Sequence, residues 1–76
     1  MLDELSHDNP SAEGWYATLH AWDVQEGFFP DAHYWNGKEW LDEHGRSTNA
    51  SVMHWPTVFE SYGSANAFAW EHDPDL

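Results

Sequence analysis

The sequence predicts an α+β fold, a small antiparallel β-meander of three to four strands with one C-terminal helix packed on the sheet. Three observations lead to this fold class: polar and apolar residues alternate over 15–22, an Asn-Gly pair separates two β-prone segments at 36–37, and apolar residues recur at helical spacing over 61–72. The chain has 76 residues, enough for one domain. We expect residues 1–13 to form a flexible acidic arm and residues 14–76 to form that domain.

The first strand is predicted over 15–22, where the sequence reads WYATLHAW. Side chains alternate between the two faces of a strand, so the odd-numbered residues give an apolar face and the even-numbered residues give a face of aromatic and polar groups. Gly27 and Pro30 interrupt the segment that follows. The stretch 23–31 is therefore predicted to be a loop that turns its two Phe side chains inward.

The Asn-Gly pair at 36–37 predicts a hairpin, because both residues tolerate the positive φ of a two-residue type I′ turn. The two strands of this hairpin are expected at 32–35 and 38–41. In that register Trp35 pairs with Lys38, and Trp35 and Trp40 are diagonal neighbours on one face. We expect this tryptophan pair to pack within the hairpin.

A further strand is predicted over 51–55. Pro56 ends or kinks it, and residues 57–59 continue it past a bulge. The last element is a helix, for which Ser61 is a suitable N-cap because its hydroxyl accepts a hydrogen bond from the first turn. Helical spacing continues to His72 before an Asp-Pro pair stops it. The helix is expected to lie across one face of the sheet.

The chain is strongly acidic: 14 Asp and Glu stand against 2 Lys and Arg, a formal net charge of −12. Electrostatic repulsion excludes affinity for phosphate backbones and anionic membranes, so a large charged partner is expected to be basic. The sequence has no Cys, no secretory signal pattern and no apolar stretch long enough for a membrane span. We therefore expect a cytoplasmic protein without disulfides.

Six His residues and no Cys suggest a metal site of imidazole and carboxylate ligands. Asp31 and His33 would share one face of a strand, and either His20 or His54 would approach them from a neighbouring strand. The sequence lacks His-x-x-x-His, His-Glu-x-x-His and a helical Glu-x-x-His. Surface or partly packed histidines are thus the default interpretation, and no metal ligand is assigned.

No catalytic motif is present. The sequence contains no Gly-x-Ser-x-Gly elbow, no Gly-rich phosphate loop and no basic patch. Its paired carboxylates fall in predicted loops or at a terminus, where solvent prevents the desolvation that acid–base catalysis needs. We expect no enzymatic activity and assign no cofactor.

The segment 35–40, WNGKEW, followed by His54-Trp55 resembles a pattern of small phage-borne proteins, a Trp-x-Gly-x-x-Trp hairpin before a strand that ends in His-Trp. This likeness covers residues 33–55. As a short, Cys-free, strongly acidic chain, the protein is also similar in character to phage DNA-mimic inhibitors, including anti-CRISPR proteins that block the DNA-binding groove of a surveillance complex. The second similarity involves no shared motif. It implies a host nucleic-acid-binding protein as the target and the host cytoplasm as the location.

Our sequence-based hypothesis is an acidic phage-type inhibitor that mimics DNA and blocks the basic DNA-binding surface of a host defence complex, with an anti-CRISPR role as its most specific form. Its partner would be a basic nucleic-acid-binding protein or complex of the host, such as a CRISPR surveillance complex, with no direct binding of nucleic acid or membrane. The alternatives are an assembly module that forms a homo-oligomer through its aromatic face and a small His/carboxylate metal-binding domain. The predicted partner-binding residues are Asp23, Glu26, Asp31, Glu39, Asp42 and Glu43.

Overall fold

A computed structural model describes residues 5–21, 27–48 and 51–72. Within these ranges the elements are, in chain order, β1 (Gly14–Ala21), β2 (Phe29–Trp35), β3 (Trp40–Leu41), β4 (Ser51–Phe59) and α1 (Tyr62–His72). Four strands followed by one helix confirm the predicted α+β fold class. The described part of the chain includes no helix that could span a membrane.

The four strands form one antiparallel sheet in the order β3-β2-β1-β4. The first three strands make the predicted meander. β4 then returns across the sheet to pair with β1 instead of β3, which gives the strand order of a Greek key. β1 is therefore an interior strand, and its two neighbours are the long strands β2 and β4.

Small residues let the helix pack closely on one face of the sheet. Ala65 and Ala69 lie one turn apart on α1, and Ala17 and Ala32 are opposite each other in β1 and β2. All four are at most 1 % exposed. Trp55 of β4 fills the adjoining part of the core and packs edge-on against a helix side chain. The opposite face of the sheet is left to the polar and aromatic residues of β1, β2 and β4.

The hairpin between β2 and β3 differs from the prediction. Trp35 pairs with Trp40 and not with Lys38, so the loop has four residues, 36–39. Among the described residues only glycines have a positive φ, which excludes the type I′ conformation for Asn36. The Asn36 side chain instead accepts hydrogen bonds from two loop amides at 2.8 and 2.9 Å, and these bonds stabilise the longer loop. The predicted register is therefore wrong, and the two tryptophans face each other with ring centroids 5.2 Å apart.

β2 begins earlier than predicted. Residues 29–31 belong to the strand, although the sequence placed them in a loop because of Pro30. β3 pairs only with Tyr34 and Trp35, so the outer side of β2 has no neighbouring strand at Pro30, and a residue without an N–H is tolerated there. Residues 22–26, which hold the end of the predicted first strand and the first four residues of the predicted loop, lie outside the described residues.

The last two elements follow the prediction. β4 continues through Pro56 to Phe59, and its register against β1 shifts near that proline, as expected for a bulge. The helix starts at Tyr62, and Ser61 acts as the N-cap because its Oγ accepts a hydrogen bond of 3.3 Å from the amide of Ser64.

Candidate metal centre

The sheet face opposite the helix brings two histidines and a carboxylate together. His20 comes from β1, and Asp31 and His33 come from β2. The β1–β2 register sets Thr18 opposite Asp31. His20 is two residues from Thr18 and His33 is two residues from Asp31, so both share the face of that pair and lie on opposite sides of it. The alternation of β2 therefore presents Asp31 and His33 together, as the sequence predicted, and the register decides that His20 joins them.

The three side chains offer one ligand atom each, and these atoms all lie within 4.8 Å of one another. His20 Nδ1 is 3.4 Å from Asp31 Oδ2. Two ligands of a tetrahedral zinc ion, with bonds of about 2.1 Å, lie about 3.4 Å apart. The distance between His20 and Asp31 is thus already that of two ligands on one ion.

His33 is held by a neighbour on β1. Its Nδ1 lies 2.8 Å from Thr18 Oγ1 in a buried hydrogen bond. When Nδ1 carries the proton and donates to that oxygen, Nε2 is the ring nitrogen able to bind a metal, which is the orienting contact that metal-binding histidines usually have. His33 is only 3 % exposed, and burial lowers its pKa to about 4, so the ring is neutral near physiological pH.

Asp31 is fixed by two donors on one carboxylate oxygen. Its Oδ1 accepts hydrogen bonds from the Ala32 amide at 2.8 Å and from the Tyr62 hydroxyl at 2.9 Å. Tyr62 is the first residue of the helix, and it contacts Asp31 where β2 has no neighbouring strand on its outer side. Burial, together with the hydrogen bond to Asp31, raises the pKa of Tyr62 to about 12, so the phenol keeps the proton that it donates. The other oxygen, Oδ2, is the one directed at His20.

Access to the three ligand atoms increases from one side of the centre to the other. The side chain of His20 is 14 % exposed and that of Asp31 is 27 % exposed, whereas His33 is buried. Aromatic rings surround the imidazoles: Phe29 packs against His20, and Trp40 packs against His33. The Asp31 side of the centre is therefore its more solvent-accessible side.

Comparison with known proteins adds no relative. No protein-family model, curated protein sequence or solved structure matches the chain.

Four of the six predicted partner-binding carboxylates lie in the described part of the chain, and their local contacts differ. Asp31 belongs to the centre just described. Glu39 accepts a hydrogen bond from Ser47, and Asp42 accepts two from backbone amides of its own loop. Glu43 is exposed beside a histidine. The remaining two predicted residues, Asp23 and Glu26, lie outside the described residues.

Two residues of the centre were missed by the sequence interpretation. Thr18 was recognisable in principle, because strand alternation places it on the same face as His20. Tyr62 had no sequence signal, since its contact with Asp31 depends on how the helix docks on the sheet. His54, the predicted alternative to His20, is held elsewhere: its ring nitrogens bond to the carbonyl oxygens of Asp8 and Trp55.

Proposed function

We propose that the protein binds one divalent first-row transition-metal ion, with Zn²⁺ as the ion to test first, through His20, Asp31 and His33. The observation that carries the proposal is the convergence of one ligand atom from each residue within 4.8 Å. Imidazole and carboxylate groups suit this class of ions. Three protein ligands leave a coordination position for water, which fits the solvent access on the Asp31 side.

The contacts behind the ligands support this proposal. Thr18 orients His33, and Tyr62 with the Ala32 amide occupies one oxygen of Asp31. Such outer contacts fix the orientation of ligands in metal sites. The alternative explanation is that His20 and Asp31 only form an ion pair with each other. In that case replacing His33 would not change the affinity for Zn²⁺, so a His33 variant distinguishes a metal site from an ion pair.

The test uses the full chain, purified without a metal-affinity column, stripped with a chelator and titrated with Zn²⁺ in a calorimeter. We expect one ion per chain, and we expect His20→Ala, Asp31→Asn and His33→Ala each to weaken binding by about tenfold or more. His44→Ala is the matched control, because it removes an exposed imidazole that lies beside Glu43 in a loop. Its affinity for Zn²⁺ should equal that of the wild type.

A second variant and a second ion make the test independent of folding defects. Tyr62→Phe removes only the hydroxyl that bonds to Asp31 and should weaken Zn²⁺ binding by about 10- to 100-fold. Co²⁺ should give the visible absorption of a low-coordinate His/carboxylate site, and circular dichroism should show that each variant is folded. Equal affinity in the wild type and in the three ligand variants would overturn the proposal.

A second candidate function, binding to a basic nucleic-acid-binding protein as a DNA mimic, is favoured by the unneutralised charge. Both ion pairs among the described residues involve a histidine, so neither Lys38 nor Arg46 offsets a carboxylate at salt-bridge distance there. A CRISPR surveillance complex with labelled target DNA provides the test. We expect the protein to displace the DNA, and to do so less well as salt rises from about 50 to 200 mM. Simultaneous binding of DNA and protein, or displacement that salt does not change, would contradict this function.

A further inference from the structure

A segment before the sheet crosses the same face as the metal centre, but at its other end. We call residues 5–13 the strap. Leu5 packs against the core, and Ser6 exchanges two backbone hydrogen bonds of 3.0 Å with His54 on the outer edge of β4. Further along, the carbonyl oxygen of Ala12 accepts a hydrogen bond of 2.7 Å from the Tyr16 hydroxyl. The strap is thereby attached to β4 at one end and to β1 at the other.

His54 makes the central attachment with its side chain. Its Nε2 lies 2.9 Å from the carbonyl oxygen of Asp8 in the strap, and its Nδ1 lies 2.9 Å from the carbonyl oxygen of Trp55 in its own strand. A carbonyl oxygen only accepts hydrogen bonds, and a neutral imidazole has only one N–H. Both bonds are therefore made only when the ring is a doubly protonated imidazolium.

Two aromatic rings pack against His54. The residue is 7 % exposed, and its ring centroid lies 5.2 Å from that of Tyr16 and 5.5 Å from that of Trp40. Aromatic rings attract a cation in a desolvated position. On the strap side, the groove of about 270 Å³ next to the ring is lined by Asp8 as well as by His54.

We infer that His54 is a proton-binding site that holds the strap: the imidazolium fastens residues 5–13 to the sheet, and loss of the proton releases one of the two carbonyl contacts. The Trp55 contact is local, between adjacent residues, whereas the Asp8 contact joins positions 46 apart in the sequence. A neutral ring has one N–H for the two acceptors, so the strap contact has to compete with the local one. Release would uncover the groove and the rings of Tyr16 and Trp40.

Other titratable groups face His54 from the elements packed around it. From β1, Tyr16 faces the ring, and burial raises the pKa of its phenol above the ordinary value. From the strap, the Asp8 carboxylate lines the groove. From β3, Trp40 has no titratable group. His33 also packs against Trp40, and burial keeps it neutral.

The test is amide hydrogen exchange by NMR on the full chain with a chelator present, at about pH 5.5 and about pH 8, the interval over which histidine ordinarily changes charge. The reporters are the amides of Ser6 and His54, which bond across the strap–β4 junction. We expect their protection factors to fall by about tenfold or more at the higher pH, relative to amides of β1 and β2. An unchanged ratio between the two pH values would overturn the inference.

Two histidine variants show which residue causes the pH dependence of strap protection. His54→Gln should abolish the pH dependence of strap protection, because glutamine does not gain a donor on acidification. His7→Gln removes the exposed histidine of the strap itself and should leave the dependence intact. If His54→Gln does not fold, the imidazole ¹⁵N shifts of the wild type decide the question. A neutral His54 ring at pH values where the strap amides are protected would refute the proton-binding role.

Discussion

Asp42 shows how a single carboxylate organises the loop after β3. Its Oδ1 accepts hydrogen bonds from the amides of His44 at 2.8 Å and Arg46 at 3.0 Å, and its own amide donates to the Arg46 carbonyl oxygen at 2.8 Å. The bond from the Arg46 amide is the largest of the effects that lower the pKa of Asp42. The loop therefore depends on the ionised form of this side chain, although Asp42 is only partly buried.

Asp42→Asn should lower the melting temperature slightly near neutral pH, and the effect should depend on acidity. The pKa of Asp42 in the folded chain is below the ordinary value of 3.8, so at pH values between these two the unfolded chain binds more protons than the folded chain. The stabilisation by ionised Asp42 is therefore present above pH 3.8. It is lost as pH falls through the lowered pKa. The difference in melting temperature between wild type and variant should therefore shrink toward zero below pH 3.8. Glu60→Gln, an exposed carboxylate elsewhere, is the control; a difference that is constant with pH would contradict the prediction.

Among elements, the predictable parts are those set by local chemistry. The first strand, the N-cap at Ser61 and the helix after it follow from neighbouring residues, and the structure contains all three. The predicted hairpin register was wrong because the asparagine of the Asn-Gly pair can stabilise two different loops. Asn36 favours a type I′ turn by its backbone, but its side chain also caps loop amides, and in this chain the second use determines the loop.

The candidate metal centre also has one part that the sequence predicts and another that it does not. The Asp31-x-His33 spacing on one strand was readable, since side chains two residues apart share a face. The sequence could not predict that His20, and not His54, would join Asp31 and His33, because this depends on the pairing of β1 with two different strands and on the strap. The contribution of Tyr62 required the docking of the helix on the sheet. Long-range register and docking therefore supply the part of the centre that local sequence leaves open.

At the scale of the whole molecule, the net charge acts over the full width of the fold. The chain carries a formal charge of −12, and the fold measures 28 × 22 × 21 Å. The Debye length is about 30 Å at 0.01 M salt, so at low salt nearly every carboxylate repels every other one. Ion pairs with Lys or Arg do not offset this repulsion in the described ranges 5–21, 27–48 and 51–72.

Raising NaCl from about 0.01 to about 0.5 M should therefore raise the melting temperature of the chelator-treated protein, because shorter screening lengths relieve the repulsion in the folded state more than in the expanded chain. For a domain of this size, each kcal/mol of relieved repulsion corresponds to about 4–8 °C. Circular dichroism at matched pH measures the shift. Choline chloride at the same ionic strength is the control for specific Na⁺ binding, and it should give the same increase. A melting temperature that falls with salt would mean that attractive ion pairs dominate the electrostatics of the fold, contrary to the charge distribution described above.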